Sequence, residues 1–97
     1  MSNQLTKDQV LLLFQLFLAQ NADKKISDLF PSDDEYRQET MGNLEIDISD
    51  YSIRLTYEYT VYFRYIFEQK NFETWDSRMA NWYSFDIFKF ISLEDKV

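Results

Sequence analysis

From Tyr51 to Phe67 every second residue is apolar or aromatic: Tyr51, Ile53, Leu55, Tyr57, Tyr59, Val61, Phe63, Tyr65 and Phe67. Few patterns constrain a fold more, because a period of two places one face of a strand in a core and leaves the other to solvent. The intervening positions are Ser52, Arg54, Thr56, Glu58, Thr60, Tyr62, Arg64, Ile66 and Glu68, a mostly polar face. At about 3.3 Å per residue this stretch would extend roughly 55 Å as one strand, too long for a small domain. A break near Glu58 to Thr60, or strong curvature, is therefore expected. Leu44 to Ile48 also alternates, and Ser49-Asp50 supplies a turn, so the region begins with an antiparallel hairpin.

Ahead of this region lies Val10 to Ala19, almost continuously apolar. Thr6 followed by Gln9 is a capping-box spacing, and Leu5 with Val10 occupies the positions of a hydrophobic staple. Both predict a helix over about 7–20. The run is shorter than the roughly 20 residues a bilayer span requires, Gln15 interrupts it, and Lys7 and Asp8 leave its flank neutral, unlike a secretory leader. It reads as a buried helix, apolar around most of its circumference and so packed on more than one side.

Ile26, Leu29 and Phe30 form a brief apolar cluster ended by Pro31. Ser32 with Glu35 repeats the capping spacing and Gly42 is a natural stop, which predicts a short helix over 33–41. Beyond the alternating region, Phe72, Trp75, Met79, Trp82 and Tyr83 recur at helical spacing behind a candidate cap at Asn71, predicting a second long helix. The segment 83–93 fits a buried strand or a helical continuation equally. The expectation is one α+β domain over 1–97: an N-terminal helix, a short antiparallel β-sheet of two to three strands, and a C-terminal helical segment packed on the sheet.

Composition narrows function by exclusion. The 97 residues contain no cysteine and no histidine, which removes disulfides, thiolate sites and the commonest general base and metal ligand. One glycine rules out a glycine-rich phosphate loop. A calcium loop started at Asp47 would place Ser52 where glycine is obligatory. No metal, cofactor or enzymatic activity is expected, and a cytoplasmic address fits the absence of cysteine.

Charge points somewhere. Residues 23–50 carry nine of the seventeen acidic side chains against Lys24, Lys25 and Arg37, and so hold nearly all of the formal net charge of −7. Such a segment repels a polyanion and attracts a basic surface. Proteins with strongly basic surfaces are largely those that handle nucleic acids, and acids along one face can take the place of phosphates. Two kinds of small protein have this profile: immunity proteins that neutralise a nuclease toxin, and phage proteins that inhibit restriction or CRISPR nucleases. The expected function is inhibition of a basic, nucleic-acid-acting protein by mimicry of DNA, with no direct contact to nucleic acid or membrane.

The expected binding residues are Asp28, Asp33, Asp34, Glu35, Glu39, Glu45, Asp47 and Asp50, each opposite a Lys or Arg, with Tyr36 and Tyr51 as anchors. Two plainer readings compete. Asp33, Asp34 and Glu35 would also serve the first turn of a helix, where the macrodipole favours acids. An assembly protein, associating through its apolar helix into a homo-oligomer, would likewise need no acidic site.

Overall fold

The computed structural model describes residues 5–29, 38–76 and 79–92. Helix α1 (Lys7–Gln20) starts where the capping box requires. Gln9 N–H donates to Thr6 Oγ1 at 3.1 Å, and Thr6 N–H donates to Gln9 Oε1 at 2.9 Å, satisfying two otherwise free donors. A single turn of helix, α2 (Ile26–Leu29), and a 3₁₀ turn (Met41–Asn43) lead into the sheet. Gly42 does not stop a helix there. It packs against Ala22, whose carbonyl would lie 3.0 Å from an added Cβ and which accepts the Gly42 N–H. Of the expected 33–41 helix, residues 38–40 are not α-helical and 33–37 lie outside the described residues.

Five strands follow: β1 (Glu45–Ile48), β2 (Ser52–Tyr57), β3 (Thr60–Ile66), β4 (Asn71–Asp76) and β5 (Asn81–Ser84). They form one antiparallel sheet in chain order, a simple meander. The long alternating stretch does break where its length demands, at the two-residue turn Glu58-Tyr59 between β2 and β3.

The expected helix-sheet-helix arrangement is overturned. The sheet has five strands rather than two or three, and the segment from Asn71 onward is a hairpin, not a helix. Asn71 pairs with Ile66 and its Nδ2 donates to Ser84 Oγ at 2.6 Å instead of capping. Phe72 and Thr74 alternate into the core, while Trp75 pairs across the hairpin with Trp82. The apparent helical spacing combined inward, outward and turn positions of two strands. Neither expected element runs through the described residues 83–92: β5 ends at Ser84, a 3₁₀ turn occupies Ile87–Lys89, and irregular chain follows through Ser92, with Leu93 outside the described residues.

Helix α1 covers one face of the sheet. Val10, Leu13, Phe14 and Phe17, spaced three and four apart, are its buried stripe. The Phe14 ring meets Phe72 edge-on at 5.4 Å and Phe17 meets Phe63 at 5.2 Å, favourable aromatic geometry. Phe85 and Phe90 close over Phe17, so α1 is packed on a second side, although Leu12 is 53% exposed. Tyr62, assigned by strict alternation to the polar face, is buried. A bulge between Leu55 and Thr56 in the β2–β3 register sets Tyr62 and Phe63 against one partner residue, which lets both enter the core.

Candidate functional site

The other face of the sheet carries a row of charged side chains across four strands. Cross-strand register aligns Asp47 with Arg54, Arg54 with Arg64, and Arg64 with Glu73. Two arginines side by side would repel. Each is drawn to its own carboxylate: Arg54 Nη2 to Asp47 Oδ2, and Arg64 Nε to Glu73 Oε1 at 2.7 Å. The Arg64 guanidinium also lies 3.9 Å over the Trp82 ring, and Trp82 packs against Trp75 at 5.3 Å. At the β3–β4–β5 end, therefore, charge is matched.

The β1–β2 end differs. A groove of about 710 Å³ is lined by Glu45 and Asp47 from β1, Arg54, Thr56 and Tyr57 from β2, and Glu58 and Tyr59 from the turn, with Asn43 and Val61 at its ends. Among the described residues its one cation, Arg54, is already paired with Asp47, and no described basic side chain in the lining offsets Glu45 and Glu58. The Arg54 Nε is buried with no hydrogen-bond partner among the described residues. Glu39 extends the acidic surface, since its carboxylate accepts from Asn43 Nδ2, a residue of the groove lining, and lies near enough to Tyr57 to oppose its ionisation. Glu39 first, then Glu58, then burial raise the Tyr57 pKa above its ordinary value, because a tyrosinate there would face two carboxylates.

Two of the expected site residues, Glu45 and Asp47, thus line one groove, and a third, Glu39, lies beside it, bonded to Asn43. Asp50 and Tyr51 lie in the turn at the opposite end of the β1–β2 hairpin, exposed and apart from it. Asp28 belongs to neither group: its Oδ2 accepts the Lys25 N–H at 2.9 Å, a local role at the start of α2. Asp33, Asp34, Glu35 and Tyr36 lie outside the described residues. Glu58, Tyr57 and Tyr59 were not anticipated. The available signals were the break expected near Glu58 and the hairpin expected ahead of it, because antiparallel pairing of β1 with β2 sets the end of β2, and so Glu58, beside the start of β1.

Among the described residues no group of three or more acidic side chains is arranged to hold a metal ion, and no helix is long and apolar enough to cross a membrane. Comparison with protein-family models, with curated proteins and with solved structures gives no significant match.

Proposed function

We propose that the protein is a small acidic inhibitor that binds a basic, nucleic-acid-handling protein and occupies its nucleic-acid site. The observation supporting this reading is the gathering of Glu39, Glu45, Asp47 and Glu58 around one groove whose single cation among the described residues is already paired. Lysine or arginine side chains of a partner would enter between Glu45 and Glu58, with the tyrosine rings of Tyr57 and Tyr59 flanking the cation. The partner belongs to the class of nuclease toxins or defence-system nucleases. An adjacent toxin gene would mark an immunity protein, and a prophage neighbourhood an anti-restriction or anti-CRISPR protein.

The experiment is capture of the partner from the native host followed by competition. Duplex DNA should displace the captured protein, and Glu39→Gln, Glu45→Gln, Asp47→Asn and Glu58→Gln combined should weaken capture and flatten its salt dependence. A partner that binds DNA and this protein at the same time would overturn the mimicry.

A further inference from the structure

Among the described residues strand β1 is an edge of the sheet, and its outer side has a definite chemical pattern. Ser49 N–H donates to Ser52 C=O, and bonded pairs alternate along an antiparallel ladder, so Asp47/Arg54 and Glu45/Thr56 are the bonded pairs of β1 and β2. The opposite side of β2 agrees: Phe67 N–H donates to Tyr51 C=O, which assigns the odd residues of β2 to β3. The N–H and C=O of Ile46 and Ile48 therefore point away from the sheet. Among the described residues no backbone hydrogen bond meets them.

An open edge invites pairing, and proteins commonly block it with lysine, proline or a bulge. Here the blocking residues are acidic. Glu45 and Asp47 project onto the groove face, while Ile46 and Ile48 alternate to the helix side, where Ile48 is 57% exposed. A second copy of the chain is a poor occupant. The symmetric register that bonds Ile46 to Ile48 sets Asp47 directly opposite the other Asp47, a like-charge pair.

We infer that β1 receives an extended segment of the basic partner as a sixth strand, its residues alternating lysine or arginine with apolar side chains. This rests on the inhibitor reading and specifies its geometry. The incoming backbone bonds to Ile46 and Ile48. Its basic side chains then fall at the unbonded positions opposite Glu45 and Asp47, where facing Cα atoms approach to about 4.5 Å. Its apolar side chains continue the surface of Ile46 and Ile48.

The probe is a short peptide alternating lysine and valine, together with a twin of equal charge whose backbone nitrogens are methylated at alternate residues. The parent peptide should bind and slow hydrogen exchange at the Ile46 and Ile48 amides. The twin should bind roughly tenfold more weakly or worse, the loss expected for one or two backbone hydrogen bonds. Ile48→Pro should reduce parent-peptide binding by a similar factor with an unchanged circular-dichroism spectrum, because that N–H lies outside the ladder with β2. Equal binding of the two peptides overturns the inference, as does binding that leaves both amides unprotected, or no binding by either peptide. Protection of those amides before any peptide is added shows the edge already occupied, by the chain itself or by a second copy, and overturns it too. Equal loss of both peptides in the Glu45→Gln, Asp47→Asn variant, with Ile48→Pro unaffected, would retain the acidic groove and reject strand addition.

Discussion

Tyr57 reports the field of the groove. The carboxylates of Glu39 and Glu58 oppose its ionisation and hold its pKa above the usual value of about 10. A group whose pKa is raised on folding contributes stability below its unfolded pKa, and that contribution disappears as pH rises through the folded pKa. Tyr65, raised by burial, acts in the same direction. Stability should therefore fall above about pH 10 rather than across neutrality. Replacing Glu39 with Gln should move Tyr57 ionisation downward, as followed by ultraviolet difference spectroscopy against a Tyr57→Phe control. An unchanged tyrosine titration would show that Glu39 does not set the local field. The acidity of residues 23–50 was plain in the sequence, but the role of Glu58 was not, because its neighbours in the groove precede it by a whole hairpin.

At the scale of elements, the β2–β3 hairpin is the most revealing. Glu58 and Tyr59 both adopt positive φ, 48° and 71°, in a two-residue connection. That conformation favours Asn-Gly, and other L-residues are strained there by roughly 1–2 kcal/mol each. Residues poorly suited to the turn sit at the mouth of the proposed site, a pairing of local strain with function seen in many binding loops. Glu58→Asn with Tyr59→Gly should stabilise the domain by about 1–2 kcal/mol in urea unfolding while weakening partner binding. Lower stability, or undiminished binding, would remove this turn from the site. The break in the alternation was legible from strand length alone. The bulge that turns Tyr62 inward was not, since period-two reading assumes a regular ladder. Strands β4 and β5 were missed for a related reason: short strands joined by turns can scatter their aromatics at spacings that imitate a helix.

Across the whole molecule, the chain's C-terminal part is tied to its first helix by polar contacts. Asn21, almost completely buried at the end of α1, donates through Nδ2 to Phe17 C=O and Phe90 C=O, each at 2.9 Å. Gln20 exchanges two hydrogen bonds with the backbone of Ser92. Asn21→Ala should cost about 1–3 kcal/mol by removing two side-chain hydrogen bonds, one of which ties the C-terminal segment to α1. Thermal denaturation would measure it, and a negligible shift would show that aromatic packing of Phe85 and Phe90 alone holds the segment. With the tail laid over α1, the helix keeps Leu12 as its exposed large apolar side chain, a narrower surface than its continuous apolar run implied. Local chemistry sufficed to determine the start of α1, the first hairpin and the acidity of the middle segment, because capping, alternation and charge are written in neighbouring residues. Only the tertiary structure decided that the aromatic C-terminal region joins the sheet, that Arg54 neutralises Asp47, and that Glu58 meets Glu45 across a groove. Those outcomes depend on strand order and register, which bring together residues that no local pattern links.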